Sequence, residues 1–325
     1  MPVSLVETNT QDTCIREVSV HGRRVAIPVL QVHGETIIVP GFWIRVACRA
    51  DEDFAEAELV DPEGWIAELK QRAAKKTRID IFTFVQKIPD STPKYDYPIA
   101  WESIAAVRTT NFAEWWDNVS QGTRKNIRRA QKHGVVTVVK TLDDDLIRGI
   151  VDVNNDSPVR QGKRFLHYGK SFEQVREDQS AFLDRSDFVC AYLADELIGF
   201  LKIVYRRQIA SLVQFLPKAS HQDKRPANCL LAKAIEVCAA RGVSWLTYGQ
   251  FNYGNKQESS LREFKVRNGF EEIRVPRYCV PLTPWGAICT SLKLYRGPIG
   301  VLPRSVITAA VKLRSMWYSQ KHKPV

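Results

Sequence analysis

The sequence predicts an α/β (α+β) protein of two tandem lobes, each a mixed, mostly antiparallel sheet flanked by helices, followed by a basic helical tail. Three observations predict it. Short β-branched and alternating apolar blocks recur along the chain and give way to helical spacing between them. A length of 325 residues leaves room for two ordinary domains. Residues 120–139, SQGTRKNIRRAQKHGVVTVV, pass from a basic helix straight into a β-branched strand, separating one set of strands and helices from a second of similar size. Within this stretch Gly134 supplies a left-handed C-cap residue, and Arg128, Arg129, Lys132 and His133 gather where they oppose the negative end of the helix dipole. The expected division is 1–110, 111–283 and a tail over 284–325.

Composition narrows the class. With 44% apolar and 26% charged residues the chain is core-forming and globular. Its seven cysteines (Cys14, Cys48, Cys190, Cys229, Cys238, Cys279, Cys289) are odd in number, scattered and free of C-x-x-C spacing. That pattern argues against a disulfide framework and a zinc site, and favours a reducing compartment. No metal is expected. The first residues lack a basic segment followed by an apolar one, and no run reaches the length of a membrane-spanning helix, so a cytoplasmic location is the expectation. The net charge of +11 is uneven, because no Asp or Glu follows Glu272 whereas Arg274, Arg277, Lys293, Arg296, Arg304, Lys312, Arg314, Lys321 and Lys323 do. Such a segment suits nucleic-acid phosphates, anionic lipid or an acidic substrate, and charge alone does not choose among them.

In the first lobe, residues 14–39 read as a strand meander punctuated by His21-Gly22 and His33-Gly34. A helix opens at Pro62 with Trp65, Ile66 and Leu69 on one face, and a buried strand follows over 78–87. The acidic group Asp51, Glu52, Asp53, Glu56 and Glu58 has no ligand spacing and reads as a solvated loop. A Pro-rich surface connection over 87–98 leads to a strand, then to a helix capped by Thr110 or Asn111. Its Phe112, Trp115 and Trp116 read as core.

The second lobe continues with a helix over 142–154 and a polar loop carrying Arg160, Lys163, Arg164, His167 and Tyr168. After a helix over 171–184, a hairpin turning at Asp195-Glu196 and a third strand containing Gln214 follow. Leu230, Leu231, Ala234, Ile235 and Cys238 define a long helix that starts near Pro226 and stops at Gly242. It feeds a strand ending in Tyr248, Gly249 and Gln250. In crossover units of this kind ligands gather at the strand's C-terminal end, here residues 248–252. A short helix capped by Ser259 or Ser260 and ended by Gly269 precedes the last strand.

Hairpin, strand, long helix, strand, short helix, strand is an order that resembles the GNAT acyltransferase fold, and more specifically the two-lobed Fem-type peptidyltransferases and their acyltransferase relatives. The residues that carry it are TRKNIRRAQKHGV (123–135), the helix over 228–242, the strand ending YGQ (248–250) and LREFKVRNGF (261–270). The resemblance spans roughly residues 20–282. It implies that the first lobe keeps the fold without the donor site and that the second carries the reaction, with a Phe-Lys pair, here Phe264-Lys265, near the point of transfer. The implied reaction is acyl or aminoacyl transfer from acyl-CoA or aminoacyl-tRNA to an amine, on a small-molecule or lipid-linked acceptor such as a cell-envelope or polysaccharide precursor.

In such a reaction a negative oxygen develops, and Lys265 is the candidate cation for it. Tyr248 is the first candidate to relay the amine proton, with His167 or water as alternatives, and no single base stands out. Phe264, Gln250, Asn252, Gln214, Tyr168 and Arg164 are candidate substrate-binding residues, and Arg225, Asn228, Arg124 and Arg128 candidate donor-binding residues. Each has a plain structural alternative: Lys265 as an exposed helix residue in a salt bridge, Tyr248 as pocket lining, Gln214 as an edge residue facing water, the α-helical cations as a solvated face. One departure concerns the donor. CoA-dependent GNAT proteins carry a glycine-containing pyrophosphate loop before the long helix, where this chain has Gln222-Asp223-Lys224-Arg225-Pro226-Ala227-Asn228. The tail can form an amphipathic helix with Val306, Ala310, Leu313 and Trp317 on one side, suited either to packing on its own protein or to peripheral contact with the inner face of a membrane. The rival to an enzyme is a non-catalytic protein that binds RNA or an anionic membrane.

Overall fold

The computed structural model describes residues 14–20, 23–55, 57–75, 77–160, 163–252 and 259–296. Two compact units make up the chain: a central one, Ser103–Ile273, and a flanking one built from the segments on either side, Pro2–Glu102 and Arg274–Val325.

The flanking unit begins with the expected meander, β1 (Cys14–Val20), β2 (Arg23–Val32) and β3 (Glu35–Ile38), paired antiparallel in order. The two residues of the β2–β3 turn, His33 and Gly34, have φ of 49° and 76°, the left-handed pair that matches strand twist in a tight hairpin. β4 (Val46–Arg49) lies beside β3, and β5 (Ile81–Val85) lies parallel to β4. All five residues of β5 are buried, as its apolar run predicts. Between them α1 (Pro62–Lys75) buries Trp65, Ile66 and Leu69 in one core with Leu30, Val32, Phe82, Phe84 and Tyr278. The acidic loop is not simply solvated. Glu52 is buried, its carboxylate accepting from the Val85 N–H and from Arg277, and Glu58 accepts from the Lys87 N–H and Lys94.

β6 (Ile99–Arg108) carries the chain into the central unit. There follow α2 (Phe112–Asn118), α3 (Gln121–Lys132), β7 (Val135–Lys140), α4 (Asp144–Asn155), the two-residue strands β8 (Val159–Arg160) and β9 (Lys163–Arg164), and α5 (Phe172–Gln179). β10 (Ser186–Leu193), β11 (Glu196–Arg206), β12 (Ile209–Pro217), α6 (Pro226–Ala240), β13 (Trp245–Gln250) and α7 (Ser260–Arg267) complete it. The unit's strands run in the order β6-β13-β12-β11-β10-β7, antiparallel except where β12 meets β13. Trp115, Ile127, Ala130, Leu231 and Ile235 of α2, α3 and α6 share one core with the sheet, and Leu146, Ile150, Val175 and Phe200 of α4, α5 and β11 form another.

Local signals explain most element ends. Asn111 accepts from the N–H groups of Ala113 and Glu114 to cap α2, Ser120 caps α3, and Gly134 with φ 82° lets the chain leave α3 for β7. The β10–β11 turn is Ala194-Asp195, one residue earlier than the sequence suggests, because Leu193 pairs with Glu196 and Ala194 takes the left-handed position at φ 50°. The helix expected over 171–184 stops at Gln179, and a separate 3-10 turn spans Leu183–Arg185. The sequence reading puts lobe boundaries after 110 and 283, whereas the units divide after Glu102 and Ile273. The reason is β14 (Glu271–Pro281), whose Arg277–Pro281 pair antiparallel with β5. α8 (Pro284–Ser291), capped by Thr283, was not anticipated. The His21-Gly22 turn and the tail helix with Val306, Ala310, Leu313 and Trp317 lie outside the described residues. No described helix is long and apolar enough to cross a membrane.

Candidate active site

The site begins with a failure of two strands to stay together. β12 and β13 pair in parallel at Ile209 with Trp245, Ala210 with Leu246 and Ser211 with Thr247; β12 then runs on to Pro217 and β13 to Gln250 without pairing to each other. Both strands are irregular at this level. Lys202 of β11 pairs with Gln214 and the next residue, Ile203, with Leu212, so Val213 is an extra residue in β12. In β13 the register with β6 shifts between Thr247 and Gln250, and Gly249 has φ 54°. Bulges bend strands and re-aim side chains. Here the extra residue turns Phe215 to the same core as Leu212 and sends Gln214 to the face of α4 and α5.

The parted strands leave a wedge at the C-terminal end of β13, where the sequence places the ligand. Phe215 lies 5.6 Å from Tyr248 and 5.8 Å from Phe264, ring centre to ring centre, and Tyr248 lies 6.0 Å from Phe270. α7 supplies Phe264 and, one residue on, Lys265. Ser259 caps α7 by accepting from the Arg262 N–H, and Gly269 at φ 84° ends it. Lys265 is fully buried: its Nζ donates to the Gln250 carbonyl at 2.7 Å and stands 4.5 Å from the centre of the Tyr248 ring. Burial lowers its pKa from 10.5 to about 8. The alternative of an exposed lysine in a surface salt bridge is therefore not what the chain builds. Beside them, Asn252 Oδ1 accepts from Arg262 Nε at 3.1 Å and its Nδ2 donates to Ser103 Oγ at 3.5 Å.

On the opposite face Gln214 does not face water as an edge residue would. Its Oε1 accepts from Gln179 Nε2 at 2.6 Å, and its own Nε2 is buried with no hydrogen-bond partner among the described residues. Lys202, also buried, donates to the carbonyls of Gln179 at 2.7 Å and Ala181 at 2.6 Å, with Phe188 5.2 Å from its ammonium; burial lowers its pKa to about 8. Sequence reasoning missed Lys202 and Gln179. The signal was a single lysine inside the otherwise apolar run LIGFLKIV of β11.

The remaining candidates are distributed differently. Tyr168 and Arg164 are exposed on the segment between α4 and α5. Asn228 is buried, its Nδ2 donating to Asn268 Oδ1 at 3.2 Å, which ties the first turn of α6 to the end of α7. Arg225 adopts φ 57° ahead of Pro226, and the N–H groups of Lys224, Arg225 and Asn228 are spent on turn carbonyls of His221, Gln222 and Arg225. The glycine loop is thus replaced by a turn that consumes its own donors. Arg124 donates to the carbonyls of Trp116 at 2.9 Å and Asp117 at 2.6 Å, capping α2, and Arg128 stacks 5.6 Å from the Trp116 ring. Arg128 also lines a cavity of about 740 Å³ with Phe112, Trp116, Cys229 and Lys233. That cavity includes neither Tyr248 nor Lys265, so it and the wedge are separate places. Among the described residues no cluster of His, Cys, Asp and Glu is placed to hold a metal ion.

Residues 118–259 match the acetyltransferase (GNAT) domain family. Among solved structures the chain is similar to the C-terminal domain (DUF2156) of a putative lysylphosphatidylglycerol synthetase from Agrobacterium fabrum, with 14% identity over 82% of this chain and 88% of that one and a TM-score of 0.53. It is similar to L-PGS from Bacillus licheniformis, with 14% identity, the same coverages and a TM-score of 0.54. FemX aligns at 11% identity over 86% of this chain and 91% of that one, with a TM-score of 0.51. No curated protein sequence matches. At such low identities these likenesses bear on the fold. The domain match runs from the last residue of α2 to the residue that caps α7, so it covers β12 and β13 and stops short of Phe264 and Lys265. Residues 118–259, which lie within the central unit, thus carry the match to an acetyltransferase (GNAT) domain.

Proposed function

We propose that the wedge between β12 and β13 is where an acyl or aminoacyl group passes from a carrier to an amine. The observation that carries this reading is the buried Lys265 beneath the Tyr248 ring at the end of the parted strands. The acceptor nitrogen forms a C–N bond to the acyl carbon, the C–S or C–O bond to the carrier breaks, and the amine proton leaves for the carrier's sulfur or oxygen. Strand ends that no longer pair with each other turn main-chain N–H and C=O groups toward the substrate, which can then be held as an added strand. Lys265 supplies positive potential at the site of the developing oxyanion, and its bond to the Gln250 carbonyl fixes the end of β13. Tyr248 carries the proton relay. Asn252 and Gln250, at the same strand end, orient the acceptor, and the buried Gln214 amide offers it a donor from the other face.

The carrier is an activated ester or thioester, acyl-CoA or aminoacyl-tRNA. The turn ahead of α6 does not favour the usual pyrophosphate cradle, and the charge of +11 favours a polyanion. Thermal unfolding with acetyl-CoA, longer acyl-CoAs, free CoA and charged tRNA tests the reading. A carrier at 100 times its dissociation constant stabilises the fold by about 2.7 kcal/mol. A shift with one class of carrier identifies the donor. No shift with any of them overturns the transferase reading in favour of a binding protein that keeps the fold.

A further inference from the structure

The flanking unit displays two large aromatic rings that nothing in the proposed reaction uses. Phe42 is 85% exposed and its neighbour Trp43 80%. They sit at the tip of a loop closed by a hydrogen bond from the Val46 N–H to the Pro40 carbonyl at 3.0 Å. The loop is built to hold this shape. Gly41 has φ 109°, and a Cβ there would lie 2.0 Å from the Ile44 carbonyl oxygen. The Trp43 carbonyl accepts from Arg78 Nη2 at 3.3 Å and from the indole N–H of Trp285 on α8 at 3.1 Å. α8 is itself seated tightly, since a Cβ on Gly286 would lie 1.9 Å from the Asp80 carbonyl oxygen. Beneath, Ile44 and Val46 pack with Ile81, Cys289 and Leu294. Ile288 and Leu292, 51% and 60% exposed, extend the apolar surface from α8.

Cations adjoin these rings. Asp80, the acid beside the loop, is wholly buried and paired with Arg78, whose own side chain is half-exposed. Arg45 follows the aromatic pair in the chain, Lys293 follows Leu292, and the sequence from residue 273 onward contains no acid. Protruding aromatic rings with a polar indole edge, set beside these cations, match one environment closely. In a bilayer interface the rings enter the headgroup region while the cations meet lipid phosphates. A protein partner would need acids and a cup for two adjacent rings, whereas a bilayer supplies both features everywhere on its surface.

We propose that the Phe42-Trp43 loop and the exposed side of α8 form a docking surface for an anionic lipid bilayer. This assignment is independent of the carrier and of the reaction. It places the contact on the folded flanking unit rather than on the tail alone.

Sedimentation of the full-length protein with vesicles tests it. Wild type is expected to sediment with phosphatidylcholine vesicles holding about 30 mol% phosphatidylglycerol, more weakly with phosphatidylcholine alone and more weakly at about 0.5 M salt. The F42S/W43S variant is expected to partition about tenfold less, and F42S and W43S singly to fall between, because each ring contributes its own buried area. Since both rings project into solvent, the melting temperatures should match wild type. Equal partitioning of wild type and F42S/W43S, or none by wild type on any vesicle, overturns the proposal. So does a self-associating wild type that F42S/W43S converts to monomers without changing vesicle binding; the rings would then belong to an interface between copies.

Discussion

The buried ammonium of Lys265 donates to the main-chain carbonyl of Gln250 at 2.7 Å, a cation of α7 bonded to the last residue of β13. Two elements that close the wedge are thus joined by a group whose charge changes near working pH. Its pKa of about 8 lies below the ordinary 10.5 because burial disfavours the charged form. If the charge stabilises the oxyanion, the contribution is present below about 8 and lost as pH rises through it. Single-turnover rates of acyl transfer at saturating carrier should therefore fall on the alkaline side with a midpoint near 8. Lys265→Met should lower the rate by about 10²–10³-fold and lose that limb, with the circular dichroism spectrum unchanged. A Lys265→Met enzyme with the wild-type rate and pH profile removes this residue from the mechanism.

Lys202 offers a test that needs no substrate. Its folded-state pKa, about 8, is depressed from 10.5, so between those values the unfolded chain binds more protons than the folded one. Stability contributed by this group therefore rises with pH across that window. The cysteines whose burial raises their pKa act in the opposite sense, so the comparison must be a difference. Urea unfolding of wild type and Lys202→Met from pH 7 to 10.5 should show wild type gaining on the variant by up to about 3 kcal/mol. A constant difference would mean that Lys202 is not held in a depressed state.

Arg277 lies between the carboxylates of Glu52 and Glu102, 2.8 Å from the former. Burial would lower its pKa, but the two acids raise it overall, so it stays charged at every accessible pH. Arg277→Leu leaves two carboxylates facing each other in the flanking unit and should cost about 3–5 kcal/mol in urea unfolding. Adding Glu52→Gln and Glu102→Gln should recover much of the loss. If the triple variant is no more stable than Arg277→Leu, lost packing of the arginine rather than unpaired charge is the cause.

Where a feature depends on neighbours in sequence, the residues announced it. Asn111, Gly134, Ser259 and Gly269 mark ends of α2, α3 and α7 because caps and left-handed turns are made within a few residues. The strand ending Tyr248-Gly249-Gln250 and the helix with Phe264-Lys265 were legible for the same reason. The extra residue Val213 was not, since a bulge exists only relative to the partner strand β11, and without it the aim of Gln214 is undefined. Whether Lys265 faced water or protein depended on what α7 packs against, and a single lysine carries no trace of that. Glu52 shows the same limit from the other direction. It read as one more loop acid, although Arg277, which gives it a buried partner, lies 225 positions away.

The flanking unit has a consequence for how the chain is made. Its β5 finds β14 only after roughly 190 intervening residues have been synthesised, about ten to forty seconds at ribosomal speed. For that interval one edge of a strand that is wholly buried in the finished protein waits uncovered, while the central unit can already be complete as its last residue emerges. The protein is thus assembled from the middle outward. A stalled ribosome or a slow codon in the stretch that encodes β14 would leave a finished central unit tethered to a half-built sheet, the species a chaperone must shield.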